Sequence, residues 1–503
     1  MTNKLFRLGI IAIFILSLSL RFWGLDRFNT LVFDEVYFAQ FGNNYLTNTP
    51  FFNAHPPLSQ YIIGLGIWIG NHIPFWQNTV NGATGSLLSP WSYRWTNAFI
   101  GSLIPVIVIL LTYQLSHRRN FALLAGLFTA LDGLFLVESR YALSNIYIVF
   151  FGLLGNWLIL LALEKQNKQR WLILAVAGIS FGASVGTKWN GLWFLAGVYG
   201  VWLAAWVIQW LQSFAPATRV PLFSYLRSYN NLKLKDQQID RKTDADTIPL
   251  QKITQINILQ MGFFLGIIPA IIYSLIWIPH LQLDTRYGFI EVHQRILQFH
   301  LQLGGNNPAI HPYCAAWYKW PLLTRPMAYY YETTQNITDP LPVFGPPLPR
   351  NAGKIIYDVH AMGNPFLWWF GLVAMVFLVS FIFIKVIQPG IQQKRLFIPK
   401  NLGVDTWICL YIIINYAANL LPWVKVSRCV FIYHYMSAVI FTFIALAWFV
   451  DQCLRSYYKE WRILGLSITF ILIAALIFWL PIYLGLPLSL EDYRLRMWFA
   501  SWI

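Results

Sequence analysis

Apolar runs of about 20 residues recur through this chain, each long enough to cross the roughly 30 Å of hydrocarbon in a bilayer. They fall at 5–24, 95–116, 120–138, 143–163, 171–187, 191–211, 257–279, 365–387, 404–422, 430–450 and 463–485. A backbone in lipid must satisfy its own polar groups, so the runs are read as helices. They are continuous rather than alternating, which argues against a barrel. The expected fold is an all-α polytopic membrane protein with about 11 transmembrane helices. Composition agrees: 57% of the 503 residues are hydrophobic and 11% are charged, against roughly 25% charged in a soluble domain. The stretch YIIGLGIWIGNHI (61–73) is short for a span and reads as interfacial.

A net charge of +16 invites a nucleic-acid reading, but its distribution favours membrane orientation. HRR (117–119), EKQNKQR (164–170), the polar segment 212–256, IQQKR (391–395) with Lys400, and RSYYKEWR (455–462) all fall on one side of the predicted spans. That side is taken as cytoplasmic. The N-terminus is then cytoplasmic, the C-terminus external, and loops 25–92 and 280–364 are both external. The first run follows Lys4 and Arg7 like a signal peptide. Arg21 and a bulky Phe-Trp pair stand where a cleavage site would need small residues, so a retained anchor is expected. The charged stretch 232–247 reads as a cytoplasmic linker, and no internal repeat is evident. Three parts are expected: a transmembrane module 1–279 with its catalytic loop 25–92, an external loop 280–364 with interfacial helices, and C-terminal helices 365–503.

The chemistry gathers beside the external helix ends. Asp34 and Glu35 stand in LVFDEVYFAQ, just beyond the first run, and HPPL with His55 follows about 20 residues later. Adjacent residues cannot face one way on a helix or strand, so one carboxylate is expected in a cleft and the other elsewhere. An ionised aspartate can take a proton from a hydroxyl; the plain alternative is a solvated helix cap. Arg94, Arg140, Lys188 and Arg428 sit at external helix ends, against the orientation bias, and together could hold a lipid phosphate. Singly, each would be read as snorkelling to headgroups. His434 lies six residues beyond Arg428 and is either a packing residue or a phosphate donor. His293 and His300, seven apart, share a face of an amphipathic segment, and His311 follows in HPYCAAWYKW. These histidines are candidates for an acceptor or loop site. The sequon at Asn336 adds little by itself. The 4 cysteines show neither CxxC spacing nor nearby histidines at metal-ligand intervals. Neither a zinc site nor a disulfide framework is read, although Cys314 and Cys429 could lie on one side of the membrane and pair.

Taken in order, FDEVYFAQFGNNYL, HPPL, SYRWTNAFIGSLIPV, ESRYALSNIYIVFF, SVGTKWNGLW, HQRILQFHLQL, HPYCAAWYKWPL and VFIYHYMSAVIF resemble the protein O-mannosyltransferase family. These are integral-membrane glycosyltransferases of the GT-C fold, glycosyltransferase family 39. The resemblance covers nearly the whole chain. It implies transfer of mannose from a polyprenyl-phosphate mannose to Ser or Thr hydroxyls of exported proteins, on the external face of the cell membrane. It implies Asp34 as catalytic base, Glu35 completing the motif, and Arg94 and Arg140 as the family arginines. Two departures stand out. Asn145 occupies a position where the family often has aspartate, and loop 280–364 is too short for the β-trefoil MIR domain of eukaryotic members, so the chain looks like a bacterial member.

The expected reaction is a single inverting displacement, with membrane lipids as surroundings and no nucleic-acid partner. No metal ligands are assigned and no cofactor is certain; a divalent cation is left open. One rival keeps the fold and changes the acceptor to a glycolipid or polysaccharide. A transporter or flippase would be expected to show paired repeats and polar residues near the midplane; here the polar residues gather at helix ends.

Overall fold

The computed structural model describes residues 1–74, 81–83, 86–213, 248–305, 309–334, 353–394, 398–399 and 402–503. The linker 232–247 and the sequon at Asn336 lie outside the described residues. In chain order the elements are α1 (Asn3–Phe22), α2 (Glu35–Leu46), α3 (Leu58–Gly70), a short hairpin of β1 (Asn81–Ala83) and β2 (Ser86–Leu88), and α4 (Pro90–Ser116). Next come α5 (Arg119–Ala130), α6 (Gly133–Arg140), α7 (Asn145–Leu163), α8 (Asn167–Val185), α9 (Leu192–Ser213) and α10 (Ile258–Leu283). The chain continues with α11 (Phe289–Gln302), β3 (Met327–Thr334), β4 (Ile355–Ala361) and α12 (Pro365–Gln392). It closes with α13 (Val404–Leu420), α14 (Met436–Arg455), α15 (Lys459–Leu484), β5 (Leu488–Ser489) and α16 (Leu490–Arg496).

Among the described residues 9 helices are long and apolar enough to cross a membrane, or 10 if the bent pair α5–α6 counts as one span. The remaining predicted run, 171–187, does form α8, but Lys168 and Arg170 in its first turn keep it from being apolar throughout. The all-α expectation needs one correction. β3, β4 and β5 form an antiparallel sheet, joining segment 327–361 to the chain after α15. A sheet was not legible because β3 carries MAYYYETT, whose aromatics also suit an interfacial belt.

Two local devices set the site. α5 and α6 meet at 59°, with Asp132 at the break. Its Oδ1 accepts from Phe135 N–H at 3.0 Å, capping α6, while its Oδ2 accepts from Trp368 Nε1 at 2.7 Å. Asp132 thus satisfies the buried Phe135 and Leu136 amides at the start of α6. α2 and α3 touch backbone to backbone at Gly42 and Gly64, where a Cβ on Gly64 would stand 2.8 Å from the Gly42 carbonyl oxygen. Only glycine permits that approach, which sets how closely α2 packs on α3.

A covalent link corrects the sequence reading. Cys314 and Cys429, 115 positions apart in sequence, are joined by a disulfide with Cα atoms 5.2 Å apart. Backbone pairing brings them together: Cys429 N–H donates to Gly304 O and Ala315 N–H to Val430 O, each at 2.9 Å. Spacing along the chain carries no trace of this pairing.

Candidate active site

The site is built around the turn that opens α2. Phe33 sits at φ +54°, left-handed backbone that a bulky residue rarely adopts. Asp34 follows as the N-cap; its carbonyl accepts from Tyr37 and Phe38 N–H at 3.0 Å each. Its carboxylate makes no capping bond and lines a cavity of about 280 Å³ instead. Burial pushes that carboxyl up to about 6, and the Lys188 charge acts in the opposite direction. Asp34 is thus a group that switches charge just below neutrality.

Glu35 points the other way, as adjacency requires. It is fully buried, accepting from Arg94 Nε at 2.9 Å and Nη2 at 2.8 Å, from Val32 N–H at 2.8 Å and from Ala142 N–H at 2.9 Å. Arg94 spends its remaining donors on the carbonyls of Leu25, Phe28 and Thr30. Arg140 donates to the carbonyls of Leu20, Arg21, Trp23 and Gly24, closing the C-terminal end of α1. Arg94 is therefore committed through all its donors and Arg140 through both terminal nitrogens, its Nε alone having no partner, and neither lines the two cavities. This corrects the expectation that they hold a donor phosphate. Sequence alone cannot tell a cation aimed at a phosphate from one aimed at helix carbonyls, since both sit at helix ends.

Lys188, Arg428, His55, His300, His311 and His434 do line the Asp34 cavity. Tyr433, which the sequence analysis did not single out, lines it too. Lys188 is buried between ring faces, 5.7 Å from the Phe38 centroid and 5.6 Å from that of Tyr433. Burial lowers its proton affinity while the nearby carboxylates raise it. His55 stacks on His300, centroids 5.3 Å apart. Burial first, then the Lys188 charge and neighbouring groups, hold His55 well below the usual imidazole range, and His300 is pushed down to about 4. Both rings are neutral wherever Asp34 is ionised. His300 Nε2 donates to Ala54 O at 3.1 Å, and its buried Nδ1 has no partner. Phe431 N–H donates to His434 Nδ1 at 3.1 Å, which leaves Nε2 as that ring's other polar atom.

His293 is a further correction. Its Nε2 shares a 2.7 Å hydrogen bond with Tyr273, its Nδ1 one of 2.6 Å with Phe289 O, and it packs against Trp277. It holds α11 to α10 rather than facing the cleft.

A second, apolar cavity of about 460 Å³ adjoins the first and shares His55, Lys188, His300, Arg428 and His434 with it. Leu192, Trp193, Leu297, Pro422 and Val426 supply its greasy wall. A groove of about 480 Å³ along the polar face of α11 lies apart from both; its Arg286 is already paired with Asp284 at 2.7 Å. It carries no part of this chemistry. Among the described residues no cluster of His, Cys, Asp and Glu is arranged to hold a metal ion.

An acid facing two cations, at the mouth of an apolar groove among membrane-length helices, defines a membrane enzyme whose substrate has a charged head and a greasy tail. Residues 11–283 match the family described as dolichyl-phosphate-mannose-protein mannosyltransferase, and residues 286–502 match the C-terminal four TMM region of protein-O-mannosyltransferase. The chain belongs to the protein O-mannosyltransferase family and is a mannosyltransferase. Among curated relatives, the polyprenol-phosphate-mannose–protein mannosyltransferase of Mycobacterium tuberculosis is 22% identical, covering 94% of this chain and 87% of its own. Its namesake in Mycolicibacterium smegmatis is 23% identical, covering 94% and 88%. Among solved structures, the fold is shared with the Saccharomyces cerevisiae protein O-mannosyltransferase Pmt1-Pmt2 complex bound to the sugar donor. The TM-score is 0.72 at 14% identity, over 100% of this chain and 93% of that one.

Proposed function

We propose that this protein transfers mannose from a polyprenyl-phosphate mannose to Ser or Thr hydroxyls of exported proteins, at the external face of the cell membrane. The observation that carries the reading is Asp34: an uncommitted, partly buried carboxylate in a cleft that also holds Lys188 and Arg428. The names of the mycobacterial relatives support the donor and the protein acceptor.

The prenyl chain lies in the apolar groove and its phosphate at the junction of the two cavities. Arg428 and Lys188 face it there, with neutral His55 and His300 beside them and His434 completing the wall. The acceptor hydroxyl enters beside Asp34. Its oxygen attacks the anomeric carbon as its proton passes to Asp34, and the bond from that carbon to the phosphate oxygen breaks with its electron pair leaving on the phosphate. One displacement inverts the configuration. Fixed cations at the leaving group stabilise charge as it develops, a contribution that is often the largest in such reactions. The cytoplasmic bias of Lys and Arg and the Cys314–Cys429 disulfide both support an external cleft, since disulfides persist in oxidising compartments.

The test is transfer by the purified protein from radiolabelled polyprenyl-phosphate mannose to a Ser/Thr-rich peptide. Label appearing only in glycolipid or polysaccharide, and never in peptide, would overturn the acceptor class.

A further inference from the structure

Behind the cleft wall a chain of side chains runs away from Lys188. Lys188 Nζ donates to Asn145 Oδ1 at 3.0 Å, and Asn145 Nδ2 donates to Glu138 Oε2 at 3.1 Å. The other Glu138 oxygen accepts from the Tyr329 hydroxyl. The order of donors is dictated. The Lys188 ammonium only donates and an amide oxygen only accepts, so Asn145 must turn its carbonyl toward Lys188, which leaves its NH2 for Glu138. Tyr329 closes the path back to the base. Its ring stacks on Phe33 with centroids 4.1 Å apart and planes 11° from parallel, against the left-handed turn that precedes Asp34.

Lys188 has little else to hold it. It sits in extended backbone between α8 and the turn Trp189–Gly191, and its flanking contacts are ring faces. A four-carbon stem there has many rotamers. Resting on the assignment of Asp34 as base, we infer that Tyr329, Glu138 and Asn145 are positioning residues that hold the Lys188 ammonium across the cleft from Asp34. None of them needs to touch substrate. The other ionisable groups facing Asp34 are Tyr433 and the cleft residues His55, His300, His311, His434 and Arg428. None of these is bonded to the path by an observed hydrogen bond; Glu138 itself faces Asp34 as a like charge, so the variants below leave that carboxylate in place and act on Asp34 through Lys188.

The sign of the effect follows. The Lys188 charge favours ionised Asp34 against the burial that pushes it up to about 6. An ammonium free to swing away favours it less, so the acid limb of the kcat–pH profile moves to higher pH. Tyr329→Phe keeps the ring on Phe33 and removes the hydroxyl; Asn145→Leu removes both amide bonds at similar size. Each is expected to move the limb up by roughly 0.5–1 pH unit, part of the span an opposite charge commands. Lys188→Met should move it at least as far, and adding Asn145→Leu to Lys188→Met should move it no further. A loss of kcat equal at every pH, with the limb in place, would show a merely structural role and overturn the inference. So would a double variant whose shifts simply add. An acid limb that persists unchanged in the residual activity of Asp34→Asn would sink the base assignment itself, and the relay with it.

Discussion

Asp34 and Glu35 are neighbours in sequence with opposite fates, and substitutions should separate them. Asp34→Asn keeps size and removes the proton acceptor, so kcat should fall by about 10²–10⁴-fold, the usual contribution of a positioned base, while the protein remains folded. In the wild type, activity should fall as pH drops through the region of 6, where Asp34 takes up its proton. Transfer rates across that range, beside thermal unfolding, check both statements. Glu35→Gln is a different experiment. It leaves buried Arg94 without its carboxylate, and breaking such a pair costs about 3–5 kcal/mol. The expected result is a lowered Tm with a normal pH profile in whatever folds. Arg428→Ala should raise the donor KM several-fold with little change in Tm, because the side chain is only partly buried and faces the cleft. A lowered kcat at unchanged donor KM would remove it from the phosphate.

At the level of elements, Arg140 is part of how α1 ends. Its guanidinium serves carbonyls from Leu20 to Gly24. Lys offers three rotatable donors in place of a planar fork, so Arg140→Lys should restore only part of the Tm lost in Arg140→Ala, and neither should alter donor KM in folded protein. The helices themselves were largely legible, since a hydrocarbon slab demands a fixed length of apolar residues whatever they pack against. The Asp34 turn was legible too, because a carboxylate pair just past an apolar run invites a functional reading. Partnership was not. Arg94 and Arg140 look like phosphate ligands until their carbonyl acceptors, up to 120 positions away, are known. His293 and His300 share a helical face, yet one meets Tyr273 and the other the cleft. Tyr329 lies on a strand within a loop, and its bond to Glu138 spans 191 positions.

At the scale of the whole molecule, the Cys314–Cys429 bond ties the loop after α11 to the segment before α14, and its second cysteine lines the cleft. Closing a loop of this size stabilises a protein by roughly 2–5 kcal/mol. Paired substitution Cys314→Ser and Cys429→Ser should therefore lower Tm and depress transfer, with donor KM raised because Arg428 sits beside the lost anchor. Unfolding with and without reductant, compared against that variant, measures the contribution; an unchanged Tm in both would remove the bond from the account. The cleft also has a history imposed by the order of translation. Asp34 leaves the ribosome early, Lys188 far later, and Arg428 only after most of the chain. If Asp34 is the base proposed above, a nascent protein carries it long before the cations proposed to face the phosphate. On that assignment the cleft is complete only once the segment around Arg428, beside the Cys314–Cys429 bond, has been made and put in place.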